Sequence, residues 1–371
     1  MAEDTSLVQQ HDAKPRQGER WLPAALTVLL VLSSLYVFAM WIIDTRPLMN
    51  LNSYEKAKFV DMVYGKAHKP FVYRVLVPTI VRLVRSAIPD SLNYETHGRV
   101  YAQFPDLYEG MLYLGWELEY LTEYATAAVF MYASLLGYAY ALRSLAKTLY
   151  SMDKWLEGVL PILAIWILPI FFVKGTHYLY DFPQLLLFTL LLVNLAKKRW
   201  WAFYPLLVVG LLNKETAIFV SIIFAACCYK VMSRKAFIGH LALQGAIFAA
   251  IKVYLGVRFA ANPGGIVENH LFINLYNALL RPFDLATACS VIALFLLIAY
   301  RFRQKPLFLR QSLLIAVPMV LLYASLGTYG EIRVFYELVP IAFLLAFQTL
   351  SHLLGWNFDP RQPILAQETG Q

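Results

Sequence analysis

A succession of ten apolar segments constrains this chain more than any other feature of its sequence. A membrane-spanning helix needs about 20 mainly apolar residues. The chain is 59% hydrophobic and 15% charged, with a mean hydropathy of +0.55, which excludes an ordinary water-soluble domain. The sequence therefore predicts an all-α fold, a polytopic membrane bundle of about ten transmembrane helices. The segments lie near 21–43, 120–142, 156–173, 183–196, 200–212, 216–232, 237–256, 284–300, 307–327 and 335–354.

Two of the segments, near 183–196 and 200–212, are short for a full span, so they would need to tilt or to enter the bilayer only in part. The basic residues give an independent test of the topology, because cytoplasmic loops carry an excess of lysine and arginine. If the N-terminus lies in the cytoplasm, every second connection between the segments is cytoplasmic, and these connections hold the basic clusters. They are Lys14, Arg16 and Arg20; Arg143, Lys147 and Lys154; Lys197, Lys198 and Arg199; Lys230, Arg234 and Lys235; and Arg301, Arg303, Lys305 and Arg310.

This pattern predicts a multi-pass protein of the plasma (inner) membrane, with membrane lipids as partners. Residues 1–20 form a cytoplasmic tail, 21–355 form one transmembrane domain, and 356–371 form a second cytoplasmic tail. The formal net charge of +8 falls mostly in the clusters that set topology, so a nucleic-acid partner is not expected.

The connection from 44 to 119, on the outer side, is too long for a loop without structure. Within it, FVYRVLVPTIVRLVRSAIP has apolar residues at helical spacing and predicts an interfacial helix, broken or bent near Pro78. The stretch 101–123 mixes aromatic and acidic residues and predicts a second interfacial helix. The guanidinium of Arg74 could clamp a phosphate at the membrane surface, while the alternative is an arginine that binds lipid headgroups.

Ionisable residues next to the ends of apolar segments form four further groups, and the predicted topology places all of them on the outer side. Such residues cost about 2.5–3.5 kcal/mol each at membrane depth, so each one needs a reason to be there. We expect them to converge on one site. They are Asp44 and Arg46; His177 and Asp181 in KGTHYLYDF; Lys214 and Glu215 in LLNKETAIF; and Glu331, Arg333 and Glu337 in GEIRVFYELVP.

Each group also has a purely structural interpretation. Lys214 and Glu215 are compatible with a tight turn, and His177 with a cap on the helix that starts near Phe182. The arginine between two glutamates is compatible with a structural ion-pair network. His177 and Asp181 could also bind a divalent metal ion, although two ligands do not define a site, so any cofactor stays unknown.

Together the carboxylates offer a base, and the cations offer partners for a phosphate. The pattern predicts a substrate such as a polyprenyl-phosphate-linked sugar, whose sugar passes to a glycan, lipid or protein acceptor. Asp44 in IIDTRPL, the long outer loop and the helix containing FVYRVLVP resemble the C superfamily of membrane glycosyltransferases. The resemblance implies a glycosyltransferase with an acidic base after the first span. The paired acidic motif of many members is absent at Asp44, so Asp44, Asp181 and Glu331 are the catalytic candidates.

The substrate-binding candidates are Arg46, Arg74, His177, Lys214, Glu215, Arg333 and Glu337. Two other functions fit the same residues. An O-antigen polymerase or ligase also joins lipid-linked glycans on the outer face. A transporter or flippase for lipid-linked sugars would line its pathway with these charges, although the predicted cytoplasmic side lacks a matching set of acidic residues.

Overall fold

The structure is a computed structural model that describes residues 21–43, 50–172, 177–265, 269–280 and 285–361. Its regular structure is almost entirely helical, which confirms the all-α prediction. The helices are α1 (Trp21–Ile42), α2 (Phe59–Val63), α3 (Leu76–Ala87), α4 (Asp90–Gln103), α5 (Pro105–Tyr113), α6 (Leu121–Leu149), α7 (Lys154–Trp166), α8 (Asp181–Ala196), α9 (Trp200–Asn213), α10 (Val220–Cys228), α11 (Arg234–Arg258), α12 (Leu271–Leu280), α13 (Leu285–Ala299), α14 (Leu307–Ser312), α15 (Ala316–Leu326) and α16 (Val339–Leu353).

Six helical segments in these ranges are long and apolar enough to cross a membrane, and the pair α12 and α13 would raise the number to seven if it forms one bent span. Each of the ten predicted segments lies on helical structure, but three of the helical segments are shorter than a span requires. These three are Asp181–Ala196, Trp200–Asn213 and Glu215–Cys228. The six longer segments are Trp21–Ile42, Leu118–Leu149, Lys154–Phe171, Arg234–Arg258, Leu307–Leu326 and Ile332–Leu353.

Helix α8 lies at the centre of the fold, packed against α6, α9 and the 3₁₀ segment Ile332–Leu338. Its sequence is apolar on all sides, which is the pattern of a helix enclosed by other helices. The Leu186 side chain of α8 packs onto Gly137 of α6, where a Cβ would lie 3.1 Å from it. A small residue at the crossing lets two membrane helices pack backbone to backbone.

The long connection after α1 contains α2 to α5, as far as it is described from residue 50 onwards. The expected break near Pro78 lies instead a few residues earlier, between the 3₁₀ segment Phe71–Tyr73 and the start of α3 at Leu76. Pro78 therefore falls in the first turn of α3, where its missing N–H costs no helical hydrogen bond. Helices α4 and α5 contain no buried residue.

A two-stranded antiparallel ribbon is the main departure from the predicted fold. Strand β1 (Tyr150–Met152) follows α6 directly, and strand β2 (Phe358–Pro360) comes after α16. The rings of Tyr150 and Phe358 stack with their centroids 4.1 Å apart. The segment predicted as a cytoplasmic tail from 356 is therefore fixed to the bundle up to Arg361, and residues 362–371, like 1–20, lie outside the described ranges.

Candidate ion-pair site at the end of helix α8

Arg333 and two carboxylates form the centre of the site. Arg333 belongs to the 3₁₀ segment before α16, and its Nη1 donates to Oδ1 of Asp181, the first residue of α8, at 3.0 Å. Its Nη2 forms an ion pair with Glu331. Oδ2 of Asp181 accepts the backbone N–H of Tyr178 at 3.1 Å. Asp181 is 1% exposed and both its oxygens are bonded, so it is placed to position Arg333 rather than to accept a proton from a substrate.

A second buried pair joins Lys214, which follows α9, to Glu337, which lies four residues after Arg333 in the same 3₁₀ segment. Nζ of Lys214 lies 3.3 Å from Oε1 of Glu337, whose side chain is fully buried. The same oxygen accepts a hydrogen bond from Gln184 at 3.1 Å and one from the Thr216 hydroxyl. Asn213 then donates to Oε1 of Gln184 at 3.2 Å, so the pair is embedded in a continuous polar network between α8, α9 and the last span.

The third pair is the accessible edge of the site. Nη2 of Arg74 lies 3.7 Å from Oε1 of Glu215. The Glu215 side chain is 32% exposed, against 11% for Glu331 and 0–1% for the other two carboxylates of the site. Glu215 is therefore the carboxylate of the described cluster that a substrate can reach most easily.

Two tyrosines hold the two arginines in place. The rings of Tyr178 and Tyr180 stack with a centroid distance of 5.2 Å and an interplanar angle of 9°. The guanidinium of Arg333 lies 4.2 Å from the centroid of Tyr178, and that of Arg74 lies 4.2 Å from the centroid of Tyr180. Arg74 also donates to the Tyr180 hydroxyl. Cation–π contacts of this kind are strongest when water is excluded, as it is here.

His177 lies beside this network and faces the end of α1. Its Nδ1 is 2.8 Å from the carbonyl oxygen of Trp41, and the two rings stack with a centroid distance of 4.9 Å. The interpretation of His177 as a cap on the following helix is not supported, because α8 begins at Asp181 without a side-chain cap and the His177 ring stacks on Trp41 of α1. The contact places the site next to Trp41, near the end of α1. Two predicted site residues, Asp44 and Arg46, lie outside the described ranges.

The charges of the site are nearly balanced. Three cations, Arg74, Lys214 and Arg333, face four carboxylates, those of Asp181, Glu215, Glu331 and Glu337. Lys252 of α11 adds a fourth cation: it lies 5.4 Å from the centroid of the Tyr73 ring and acts electrostatically on Glu215. Burial raises the pKa of Tyr73, so its hydroxyl stays neutral beside this lysine. Buried charges need such pairing, because removal of an ion from water costs several kcal/mol.

Eight of the ten predicted site residues fall within the described ranges, and the structure brings all eight to this region; their roles in a reaction stay predictions. Sequence reasoning did not single out the polar and aromatic residues that connect the charges. A polar residue within a strongly apolar segment is the signal that would have found two of them. The connecting residues are Tyr178, Tyr180, Gln184, Asn213, Thr216 and Lys252.

The site occupies one end of α8, and the basic turn Lys197–Arg199 occupies the other. The 16 residues of α8 separate the two ends by about 24 Å. Metal binding was one interpretation of His177 and Asp181; the described residues contain no group of three histidine, cysteine or acidic side chains arranged to hold a metal ion.

Comparison of the chain with protein-family models, with curated proteins and with solved structures gives no match.

Proposed function

We propose that this protein is an integral membrane glycosyltransferase, which transfers a sugar from a polyprenyl-phosphate-linked donor to an acceptor on the outer face of the plasma membrane. The observation that supports this best is the Arg74–Glu215 pair at the accessible edge of a buried ionic cluster. It combines a cation suited to a phosphate with a carboxylate suited to a hydroxyl proton.

The proposed topology has ten helical passes and a cytoplasmic N-terminus. Helices α8 and α9 would cross a locally thin part of the bilayer, and α3 to α5 would lie in the outer interface. The distribution of charge along α8 supports this orientation, because the mixed ion-pair cluster lies at its N-terminal end and three consecutive cations follow its C-terminal end. An excess of positive charge marks the cytoplasmic end of a helix.

The reaction needs two kinds of group. The acceptor hydroxyl oxygen forms a bond to the anomeric carbon, the bond between that carbon and the phosphate oxygen breaks, and its electron pair leaves with the polyprenyl phosphate. A carboxylate takes the hydroxyl proton, and cations stabilise the charge on the departing phosphate. The donor brings its own activated leaving group, so the protein mainly has to position the reactants.

In this proposal Glu215 is the base among the described residues, and Arg74 and Lys252 face the phosphate. This assignment differs from the sequence-based candidates Asp181 and Glu331, whose oxygens are already bonded within the buried network. Those two carboxylates would instead fix Arg333, and Glu337 would fix Lys214. Asp44 stays a candidate base, since the contact of His177 with Trp41 brings the end of α1 to the site.

The test is a transfer assay with the purified full-length protein in detergent or nanodiscs. A panel of radiolabelled polyprenyl-phosphate hexoses and pentoses serves as donor, with membrane glycans as acceptor, and released polyprenyl phosphate as a second readout. Glu215→Gln is expected to lower the rate roughly 10²- to 10⁴-fold, the usual contribution of a general base. Glu109→Gln, at an exposed position of α5 outside the cluster, is the matched control and should transfer at the wild-type rate.

Arg74→Gln separates the phosphate-binding role of Arg74 from the proton-accepting role of Glu215. Loss of the phosphate partner should weaken binding of the donor as well as its turnover. Asp44→Asn decides between the two candidate bases. The proposal is wrong if a donor that the wild type turns over is turned over equally by Glu215→Gln, Asp44→Asn and Arg74→Gln, or if no donor in the panel is turned over by the wild type.

A further inference from the structure

A cavity of about 670 Å³ lies at the end of α8 opposite the ion-pair site. Its walls come from three separate elements: the last turns of α6, the turn between α8 and α9, and the residue after β2. Six of its ten lining residues are basic and none is acidic. The basic residues are Arg143, Lys147, Lys197, Lys198, Arg199 and Arg361.

The cations of the α6 wall share a single carboxylate. Nη2 of Arg143 and Nζ of Lys147 bond to the same oxygen of Glu157 on α7, at 3.1 and 2.8 Å. One glutamate balances one of these two charges at most. The Nε atom of Arg143 is buried and has no hydrogen-bond partner among the described residues. This wall therefore carries a surplus of positive charge and an unused donor.

The other two walls hold cations in fixed positions. Nζ of Lys197 donates to the Ser144 hydroxyl at 3.1 Å, and its pKa is lowered by burial and by the neighbouring charge of Arg199. Arg361 is fixed twice, since its backbone N–H donates to the carbonyl of Leu149 and its Nε to that of Tyr150, both at 2.9 Å. These bonds leave the terminal guanidinium nitrogens of Arg361 available to the cavity.

Basic residues at cytoplasmic helix ends do not by themselves indicate a ligand. They set topology, and they interact favourably with the C-terminal dipoles of α6 and α8. Neither effect requires cations from three elements to line one open cavity, where like charges repel one another. Arg361 in particular arrives from a strand that follows the last helix, and the ribbon aligns it with the end of α6. An anion in the cavity would remove this repulsion.

Exposed aromatic residues mark the level of the cavity in the membrane. Tyr140 lines the cavity and is 45% exposed. Trp201, which lies two residues after Arg199, is 79% exposed. Tyrosine and tryptophan are enriched at the level of lipid headgroups. A ligand in the cavity would thus have its anionic part among the cations, with the bilayer surface alongside.

We propose that this cavity binds the multiply charged phosphate headgroup of an anionic membrane lipid on the cytoplasmic side. Six cations are more than one phosphate diester requires, so a lipid with two phosphates is the best match to the charge. A volume of about 670 Å³ lies within the usual range of about 300–1,000 Å³ for small-molecule sites. This site is separate from the proposed glycosyltransfer site and does not depend on that function.

The test measures the affinity of the purified full-length protein for cardiolipin, which carries two phosphates, by titration in detergent and by native mass spectrometry. The double variant Arg199→Gln/Arg361→Gln should bind cardiolipin roughly 30-fold more weakly, since each basic residue near an anionic surface contributes on the order of a fivefold gain in affinity. The control Arg234→Gln/Lys235→Gln removes the same charge from exposed positions of α11 outside the cavity, and should bind like the wild type.

A second variant, Lys198→Asn, covers the case in which the double variant misfolds, because asparagine tolerates the positive φ of 51° found at Lys198. Inorganic pyrophosphate distinguishes the source of the phosphate. If it binds with the same variant dependence while cardiolipin does not bind, the lipid assignment is overturned in favour of a soluble phosphate. If the cavity variants and the control variant lose cardiolipin binding to the same extent, the binding is due to general charge attraction, and the proposed site is wrong.

Discussion

Replacement of Arg333 by methionine tests whether the buried ionic cluster is held together as the structure describes. The substitution keeps much of the side-chain volume and removes the charge that balances Asp181 and Glu331. The contact of 3.0 Å between Arg333 and Asp181 places the centres of charge roughly 4 Å apart, a separation at which two unit charges attract by about 4 kcal/mol at an effective dielectric constant of about 20.

Since Asp181 is 1% exposed, water cannot replace the lost arginine. We therefore expect Arg333→Met to lower the free energy of unfolding by about 3–5 kcal/mol, as found when one partner of a buried ion pair is removed. The double variant Arg333→Met/Asp181→Asn should recover part of this loss, because it removes the uncompensated charge as well. The coupling between the two positions is expected to be about 1–3 kcal/mol.

The assay is equilibrium unfolding in mixed micelles, in which the proportion of denaturing detergent is increased and the loss of helix or native fluorescence is followed. Arg303→Met, at an exposed position of the 3₁₀ segment Phe302–Gln304, is the control and should change the free energy of unfolding by less than about 0.5 kcal/mol. A loss of under about 1 kcal/mol for Arg333→Met, or strictly additive effects in the double variant, would show that Arg333 and Asp181 are not paired in the folded protein.

Three further outcomes are expected. Burial lowers the pKa of Lys305 to about 8, from its ordinary value of 10.5, so the folded state disfavours its charge. The free energy of unfolding should therefore rise as the pH is raised from 8 to 10.5, and Lys305→Met should abolish that part of the unfolding profile measured against pH. Gly264→Ala should destabilise the protein by about 1–3 kcal/mol and open the 260–265 loop to limited proteolysis, because Gly264 has a φ of +90° and a Cβ there would lie 2.7 Å from the carbonyl oxygen of Lys69. Gly98→Ala, in the middle of α4 with nothing within 4 Å, should instead stabilise its helix by about 0.5–1 kcal/mol, detectable as slower amide exchange.

The helical character of the chain could be predicted from the sequence because apolar runs between basic clusters leave few other folds. The number of full spans could not be predicted, since α8 and α9 are mainly apolar yet have only 16 and 14 residues. The convergence of the polar groups was expected from the predicted topology, because helix ends on one side of a membrane share a narrow layer.

The pairing within the site was beyond sequence reasoning, since it depends on how the helices pack. Lys214 and Glu215 are adjacent in sequence, yet they point to different partners, Glu337 and Arg74. Glu337 and Arg333 are one turn apart, yet each is neutralised by a residue of a distant segment. The bonded state of Asp181 and the exposure of Glu215 follow from these pairings, which is why the sequence ranked the candidate bases differently. The ribbon escaped prediction because YSM and FDP are too short to show any alternation.

That ribbon also bears on how the protein is made. Arg361 and Tyr150, which its pairing brings into contact, are 211 residues apart in the chain. Until β2 has been synthesised, β1 has no partner strand. At that stage the basic cavity also lacks the wall that Arg361 provides. A strand that is synthesised after α16 thus packs against the end of α6, so the β1–β2 contact can form only once the helices between them in the sequence have been synthesised.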